Sequence, residues 1–385
     1  MRQMGVNKEQ EITYIKLKKK DGQHFINFIN DNLKPTQLIN HKFKTLLEND
    51  YILYPIILCQ EALDKIKTNI DKQINFELIS KKGIPNENYK FKTLQEALQD
   101  KIPDNYLNLI PKSFDIIGDI AVVTFDKFDQ INDNKNHEFK YEIAKAIVDF
   151  NKNVKTIYEK KSEIKGKYRL RELVLLFGDN KSETIHKENN CVFRLDIKNT
   201  YFTPRLVYER RRIASGKIKE NELIVDMFAG VGTFSIQIAL NKNVKIYAFD
   251  INPIAYRYLN ENINLNKLKG KILPSNIDVK HLLKKTNELG KFLFHKADRI
   301  IMNLPKSSIE FLDVACFLMK ESGGILHFYQ FSEKPNSIEK TLKNLKLELN
   351  LLNWEIDSIL TSKIVKDYSP KSELIVVDLE ISALK

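Results

Sequence analysis

The hydrophobic pattern of residues 201–385 alternates between two periods. Short apolar runs at 223–225, 244–249, 271–273, 299–302 and 324–331 are typical of buried strands. Between them apolar residues recur at helical spacing, as in Ile254, Tyr258, Leu259 and Ile263. This alternation predicts a doubly wound α/β sheet, and residues 351–359 and 374–381 predict a closing hairpin at its edge.

The first of these strands leads into a glycine turn. Asp226 ends the strand, Gly230 and Gly232 lie in a turn that is nearly free of side chains, and a helix pattern follows. A strand, a glycine turn and a helix together let backbone N–H groups approach a ligand closely. The same pattern also occurs in ordinary tight turns, so by itself it predicts only a candidate site.

The second strand strengthens that candidate. Asp250 ends it about twenty residues after the glycines, the spacing expected for a carboxylate that holds ribose hydroxyls. Asn252 and Pro253 then begin a helix as N-cap and first helical residue. Because the turn lacks the third glycine of the dinucleotide fingerprint, the pattern favours a nucleoside ligand such as S-adenosylmethionine over NAD.

Polar residues and glycines gather where the predicted strands end. In doubly wound sheets ligands bind at the carboxyl ends of the strands, so these positions are expected to share one edge. The predicted cofactor-binding residues at this edge are Asp226, Phe228, Gly230, Gly232, Asp250, Asn276, Ile277 and Asn303.

The chain before residue 201 predicts two smaller units. Residues 1–58 read as a small α+β domain with strands at 12–17 and 51–58 and a helix at 25–33. Residues 59–105 are interpreted as a connector, and 106–200 as an α+β domain with antiparallel strands and an amphipathic helix at 138–150. The catalytic domain is predicted to span 201–385.

Charge and cysteine content narrow the function class. The 62 Lys and Arg residues exceed the 50 Asp and Glu residues by 12, which favours a polyanionic partner, usually nucleic acid, over a merely lysine-rich surface. Three widely spaced cysteines form neither a disulfide framework nor a zinc motif, which indicates a reducing cytoplasm. Residues 1–10 are polar and the apolar run 51–59 is short, so we expect neither a secretory segment nor a membrane span.

Several motifs resemble the archaeal and eukaryotic tRNA (guanine-37-N1)-methyltransferases. In the predicted catalytic domain they are Asp226-Met-Phe-Ala-Gly-Val-Gly, Ile251-Asn-Pro, Arg299-Ile-Ile-Met-Asn-Leu-Pro and Gly324-Ile-Leu-His-Phe-Tyr. Before it they are Pro111-Lys-Ser-Phe-Asp-Ile-Ile-Gly-Asp-Ile-Ala-Val-Val, Tyr168-Arg-Leu-Arg-Glu, Thr184-Ile-His-Lys-Glu-Asn and Tyr201-Phe-Thr-Pro-Arg-Leu. The resemblance extends from about residue 106 to the end, and less closely to residues 1–58, which are similar to the family's tRNA-contacting domain.

The resemblance implies a Rossmann-like class I methyltransferase domain preceded by two smaller α+β domains. It implies a monomer that transfers a methyl group from S-adenosylmethionine to N1 of guanosine 37 in tRNA. The family's general base then corresponds to Glu209, its catalytic arginine to Arg169 and its orienting asparagine to Asn303. Tyr201 and Pro305 match positions near the target base, and we assign Arg205 to the tRNA backbone.

The implied roles agree with the chemistry of guanine. Its N1 carries a proton at neutral pH, so a base must remove that proton before the lone pair can attack; Glu209 as base would contribute about 10²–10⁴-fold. Charge then develops on O6, where the Arg169 guanidinium would donate. This scheme requires no metal. Without the resemblance, a helix-surface ion pair would be the simpler interpretation of Glu209, and a turn cap that of Asn303.

Three positions refine the prediction. Thr233 stands where the family usually has proline, and Asn276 where it usually has aspartate, so either Asn276 or the nearby Asp278 contacts the adenine. Lys306 follows Asn-Leu-Pro where enzymes that methylate exocyclic amino groups carry an aromatic residue, which favours an endocyclic nitrogen as target.

The sequence leaves three alternative functions open. They are a bifunctional enzyme that also methylates the tricyclic wyosine intermediate, a related wyosine-pathway transferase, and a tRNA-binding protein without catalysis.

Overall fold

The computed structural model describes residues 10–33, 38–69, 74–99, 101–130 and 134–384. Residues 1–9, on which the expectation about targeting largely depends, lie outside this part of the chain. Two compact units form, one from Met1–Ile110 with Lys127–Lys152 and one from Pro111–Asp126 with Asn153–Lys385. No helix in the described ranges is both long enough and apolar enough to cross a membrane.

The first unit is built on a sheet of four described strands in the order β2-β3-β1-β4, with every neighbouring pair antiparallel. Ile15 and Leu17 on the central strand and Phe25 on the first helix belong to its apolar core. The elements of this unit are β1 (Glu11–Lys18), α1 (Gly22–Asn32), β2 (Leu46–Glu48), β3 (Tyr51–Pro55), α2 (Gln60–Asn69), β4 (Phe76–Lys82), α3 (Leu94–Leu98), α4 (Asp104–Leu107), α5 (Asp126–Asp129), which begins at the unit boundary, and α6 (Asn136–Phe150).

The segment 59–105, interpreted above as a connector, contributes a strand to this sheet. β4 pairs along β1 from Leu17 opposite Phe76 to Glu11 opposite Lys82. The strand is at the sheet edge and most of its side chains are exposed, so it carries little of the apolar alternation that identifies a strand. The amphipathic helix α6, predicted within the second domain, belongs to the first unit.

The second unit contains a small mixed sheet in the order β5-β6-β7-β8, an antiparallel hairpin of β9 and β10, and a large α/β sheet. Its elements are β5 (Asp115–Ile117), β6 (Ile120–Val123), β7 (Thr156–Lys160), β8 (Leu173–Phe177), β9 (Glu183–Glu188), β10 (Cys191–Asp196), α7 (Val207–Ala214), β11 (Leu223–Asp226), α8 (Thr233–Asn241), β12 (Lys245–Asp250), α9 (Pro253–Leu265), β13 (Lys271–Asn276), α10 (Glu288–Leu293), β14 (Arg299–Met302), α11 (Leu312–Leu318), β15 (Gly324–Glu333), α12 (Ser337–Leu351), β16 (Trp354–Ser369) and β17 (Ser372–Ala383).

The large sheet confirms the predicted doubly wound fold. Its described strands run in the order β13-β12-β11-β14-β15-β17-β16; the first five are parallel, and β17 is antiparallel to both of its neighbours. Successive residues of one strand enter different cores, since Ile224 and Val225 belong to separate apolar clusters. Helices therefore cover both faces, and the carboxyl ends of β11 to β15 meet at one edge.

The closing hairpin is longer than its apolar pattern predicts. β16 begins at Trp354 and continues to Ser369, with four register shifts against β17. Exposed positions interrupt the apolar alternation of this edge strand, so its second half gives little strand signal. This second half is the part that supplies side chains to the site.

Candidate active site

The glycine turn after β11 depends on two left-handed backbone conformations. Gly230 has φ +55° and Gly232 has φ +94°, a region that disfavours residues with a side chain. A Cβ at Gly232 would also lie 2.6 Å from Cδ1 of Leu259, closer than two carbon atoms can pack. At Gly230 the neighbour is the Tyr201 carbonyl oxygen, 3.9 Å from such a Cβ, so this turn adjoins the Tyr201 segment.

Asp250 ties the turn to the ends of the next two strands. Its Oδ2 accepts the N–H of Gly230 and its Oδ1 the N–H of Asn252, both at 2.8 Å. The side-chain amide of Asn276 donates to the Asp250 carbonyl at 2.8 Å. Burial raises the pKa of Asp250, and the two N–H groups oppose that shift. Gly230, Asp250 and Asn276, predicted as cofactor-binding residues, are thus brought together.

Asp226 lies beneath the turn and is fully buried. The hydroxyl of Ser235 on α8 donates to its Oδ2 at 2.7 Å, which anchors the helix to the strand. Burial raises the pKa of Asp226 to about 7, although hydrogen bonds from Ser235 and the Phe228 N–H act in the opposite direction. Asp226 therefore joins the end of β11 to α8.

Apolar residues flank the same edge. The rings of Phe228 and Phe311 meet edge to face with centroids 5.1 Å apart. Ile277 packs against the same apolar cluster as Phe228. Asp278 caps the short 3₁₀ turn Val279–Leu283 by accepting the N–H of Lys280 at 3.0 Å. The prediction that Asn276 or Asp278 contacts the adenine stays open, while Phe228 and Ile277 give this part of the edge an apolar wall.

Asn303 follows β14 and presents an unsatisfied acceptor. Its Oδ1 is buried, and no hydrogen-bond donor in the described part of the chain reaches it. The next residues are fixed, because Leu304 donates its N–H to Ser308 Oγ at 3.2 Å and the Pro305 carbonyl accepts from Phe331 at 2.8 Å. A buried acceptor without a partner costs about 1–3 kcal/mol, so this oxygen is suited to receive a donor from a ligand.

Arg169 and Tyr201 line the same pocket, which polar and apolar side chains share. Arg169 lies in a tight turn with φ +59°, where its N–H donates to the Gly166 carbonyl at 3.2 Å. Burial raises the pKa of Tyr201, and the nearby arginines act to lower it. Arg205 is linked to this pocket through Asp115, which is one of its lining residues: Arg205 Nε donates to Asp115 Oδ1 at 2.6 Å. The residues that line this pocket are Asp115, Ile117, Val122, Arg169, Arg171, Leu173, Ile197, Thr200, Tyr201 and Phe202.

Glu209 is buried on α7 and surrounded by donors. Glu209 is only 4% exposed, so the ion pair that it forms with Arg212 on the same helix is buried at the carboxylate and does not lie on the helix surface. Oε2 accepts from Arg212 Nε at 2.9 Å and from the Tyr329 hydroxyl at 3.2 Å. Oε1 lies 2.6 Å from Lys363 Nζ. Arg212 also pairs with Asp378 on β17. We call Glu209, Arg212, Tyr329, Lys363 and Asp378 the base cluster.

The sequence offered an ion pair with a neighbouring arginine on the helix, but it did not single out Tyr329 or Lys363 as partners of Glu209. Tyr329 lies within a motif quoted for the family resemblance, but its apolar strand suggests only a core position. Lys363 and Lys366 lie on β16, where a lysine on an edge strand normally indicates solvent exposure. Burial lowers the pKa of Lys366, and the charges of Arg205 and Arg171 add to that effect. No local pattern distinguishes these lysines from the many others of the chain.

The described residues contain no group of three or more His, Cys, Asp or Glu side chains arranged to hold a metal ion. We call the carboxyl-end edge of the large sheet, with Phe228, Gly230, Asp250, Ile277 and Asn303, the cofactor edge. It combines backbone N–H groups, the Asp250 carboxylate, the unsatisfied amide oxygen of Asn303 and an apolar wall. This set of groups suits a nucleoside that carries hydroxyl and amino donors.

Comparison with known families and proteins gives consistent matches. Residues 184–356 match the TRM5/TYW2 methyltransferase domain, and residues 94–181 match the TYW2 N-terminal domain. The chain is 34% identical over 369 residues to tRNA (guanine(37)-N(1))-methyltransferase Trm5b of Methanocaldococcus jannaschii, covering 96% of this chain and 98% of that protein. The Pyrococcus abyssi protein of the same name is 33% identical over 344 residues, covering 89% and 92%.

A relative of a different activity matches a smaller part of the chain. It is tRNA 4-demethylwyosine(37)-methyltransferase Taw21 of Saccharolobus solfataricus, 36% identical over 239 residues, covering 62% of this chain and 82% of that protein.

Solved structures also place the chain among proteins similar to Trm5 and TYW2. The complex structure of aTrm5 and tRNALeu is similar with a TM-score of 0.68 and 33% identity, covering 95% of this chain and 99% of that one. The structure of M. jannaschii TYW2 in complex with AdoMet gives a TM-score of 0.52 and 26% identity, covering 71% of this chain and all of that one. From its fold, its site and these similarities, the chain belongs to the TRM5/TYW2 methyltransferase family.

Proposed function

We propose that this protein transfers a methyl group from S-adenosylmethionine to N1 of guanosine 37 in tRNA, next to the anticodon. The observation that carries the proposal is the extent of similarity. Relatives named for this reaction align with 89% and 96% of the chain, whereas the demethylwyosine methyltransferase aligns with 62%. The net charge of +12 agrees with a polyanionic substrate.

The cofactor edge supplies the contacts that S-adenosylmethionine requires. Asp250 would accept from the ribose hydroxyls, and the Gly230 turn allows close approach of the backbone. Phe228 and Ile277 would flank the adenine, and the unsatisfied Asn303 Oδ1 would accept a donor from the ligand. When bound, this cofactor supplies an electrophilic methyl group on a sulfonium centre.

Glu209 is proposed as the general base that takes the N1 proton of guanine. Arg212 and Tyr329 contact Oε2 of this carboxylate, and Lys363 contacts Oε1. A carboxylate oxygen has about two lone pairs, so Oε1 retains the capacity to accept the N1–H group. Arg212 and Lys363 place positive charge beside the carboxylate.

Arg169 is proposed to stabilise the charge that develops on O6 of guanine. It shares a pocket with Tyr201, and the left-handed backbone of its turn fixes where its side chain begins. A guanidinium that is already oriented stabilises a developing oxyanion without a reorganisation cost. Tyr201 and Pro305 are proposed to contact the target base, Arg205 to contact the tRNA backbone, and Asn303 to orient the reactants.

The state of the protein in the cell is part of the same proposal. We infer a monomer in a reducing cytoplasm. Cys59, Cys191 and Cys316 all lie in described ranges and are free thiols, which supports a reducing compartment.

The test is incubation with labelled S-adenosylmethionine and tRNA transcripts that carry G or A at position 37, followed by nucleoside analysis. We expect 1-methylguanosine from the G37 transcript and no labelled nucleoside from the A37 transcript. A tRNA that carries the demethylated wyosine intermediate, assayed in parallel, tests the bifunctional alternative. Labelling of this tRNA alone, or of a position other than 37, would refute the proposal.

A further inference from the structure

The base cluster extends away from Glu209 through Arg212. This arginine lies between two carboxylates: Nε donates to Oε2 of Glu209 at 2.9 Å, and Nη1 donates to Asp378 on β17. Its Nη2 is within reach of both, 2.9 Å from Glu209 Oε2 and 3.4 Å from Asp378 Oδ1. Asp378 is 3% exposed and the Arg212 side chain is 27% exposed, so the carboxylate end of the pair is the buried one. The guanidinium is planar and rigid, so fixing one side of it at Asp378 also fixes the direction of the Nε–H that faces Glu209.

Further buried groups continue beyond Asp378. Its Oδ1 lies 2.7 Å from Nδ1 of His327, the residue directly opposite it on β15. His327 Nε2 lies 2.8 Å from Arg299 Nη1, and Arg299 Nε donates to Glu222 at 2.9 Å. A row of five residues thus connects the start of β11 to the carboxylate of Glu209. In order they are Glu222, Arg299, His327, Asp378 and Arg212.

The partners determine the protonation state of His327. A guanidinium can only donate, so Nε2 must accept from Arg299, and the ring proton lies on Nδ1, facing Asp378. Burial lowers the pKa of His327, which agrees with the neutral ring. Burial alone would raise the pKa of Asp378, but hydrogen bonds from His327 and Arg212 outweigh it and lower this pKa to about 2. Asp378 is therefore an anion with a fixed donor on each side.

Stability by itself does not explain why charged residues are used here. Buried ion pairs lose hydration, and replacing them by packed apolar residues is often neutral or stabilising. What the ions give that apolar residues would not is a defined direction for Arg212, and Arg212 contacts the proposed base.

We propose that Asp378 is a positioning residue for Glu209 and acts through Arg212. This inference rests on the proposed role of Glu209 as general base. Asp378 holds the guanidinium from behind, so Oε2 of Glu209 keeps one orientation and Oε1 faces the more exposed side, where Lys363 lies. Loss of this hold lets Arg212 and the carboxylate take other rotamers, and fewer enzyme molecules carry the base in its reactive orientation.

The test is single-turnover methyl transfer by Asp378→Asn. We expect the rate constant at saturation to fall about tenfold, while KM for tRNA and for S-adenosylmethionine stays near the wild-type value. Arg212→Lys keeps the charge but loses the two-sided geometry, so it should show the same split even if Asp378→Asn folds poorly. The matched control is Glu380→Gln, an exposed carboxylate on the same strand that bonds Ser358, which should retain the wild-type rate.

A double-mutant cycle separates positioning from a general structural role. If Asp378 acts on Glu209, adding Asp378→Asn to Glu209→Gln should cause no further loss of rate. A full additional tenfold loss in that background, or a wild-type rate for both Asp378→Asn and Arg212→Lys, would overturn the inference alone. A wild-type rate for Glu209→Gln would refute the base assignment and the inference together.

Discussion

The cofactor edge and the base cluster are built in different ways. At the cofactor edge the Asp250 carboxylate is held by backbone N–H groups, and its bond to Gly230 spans 20 residues of sequence. In the base cluster charged side chains hold one another, and the bond from Arg212 to Asp378 spans 166 residues. One part of the site is local and uses the backbone, and the other is long-range and uses side chains.

This difference implies different sensitivities to substitution. Backbone donors remain in place when a neighbouring side chain changes, so a substitution at the cofactor edge should affect mainly the contact it removes. Buried carboxylates such as Glu209 and Asp378 depend on every partner, and loss of one partner leaves a charge unpaired. We therefore expect changes in the base cluster to lower the rate, and changes at the cofactor edge to lower cofactor affinity.

The largest effect is expected for Glu209→Gln. The amide is not basic enough to take the N1 proton, so the rate constant of methyl transfer should fall about 10²–10⁴-fold. Single-turnover kinetics at saturating substrates measure this loss, and equilibrium binding should give near wild-type affinities for cofactor and tRNA. An unchanged rate constant would show that another group removes the proton.

A smaller effect, on cofactor affinity instead of on the rate constant, is expected for Asp250→Asn. The variant keeps the size of the side chain but loses the charge that strengthens its hydrogen bonds, each worth about 1.5–3 kcal/mol. The dissociation constant for S-adenosylmethionine should rise about 10–100-fold, with the rate constant at saturation close to wild type. Calorimetry and saturation kinetics check the two values. If Glu209→Gln and Asp250→Asn each lowered the rate constant and the cofactor affinity to the same extent, the two parts of the site would not differ in the way stated here.

The last effect, which is the smallest when counted per pH unit, is a difference in how stability depends on pH. The pKa of Asp226 is raised to about 7, so the folded state binds its proton more tightly and the stabilisation is lost as pH rises from about 4 to 7. The pKa of Asp378 is lowered to about 2, so its stabilisation is present above about pH 4 and is lost as pH falls towards 2. Each slope is at most about 1.4 kcal/mol per pH unit.

Urea unfolding of Asp226→Asn and Asp378→Asn over a pH series measures these slopes. Relative to wild type, Asp226→Asn should become more stable as pH rises from 4 to 7. The deficit of Asp378→Asn should shrink as pH falls from 5 towards 3. Slopes of the same sign in both variants would contradict the opposite environments assigned to the two carboxylates.

The cofactor edge was predictable because its signals are local. A strand that ends in Asp226, two glycines and Asp250 at the end of the next strand predict a turn and a carboxylate at one sheet edge. The bond from Asp250 to the Gly230 N–H agrees with this prediction. Strand β4 was not predicted, because an edge strand with exposed side chains lacks the apolar alternation on which the prediction depends.

The amino-acid sequence by itself determined the doubly wound sheet, the position of the glycine turn and the family to which the chain belongs. Tertiary structure alone decided that Glu209 is buried, that Lys363 and Tyr329 contact it, and that Asp378 lies behind Arg212. The physical reason is distance along the chain. Periodicity and turn chemistry act over a few residues, whereas β15, β16 and β17 bring these side chains to α7 only once the sheet is assembled.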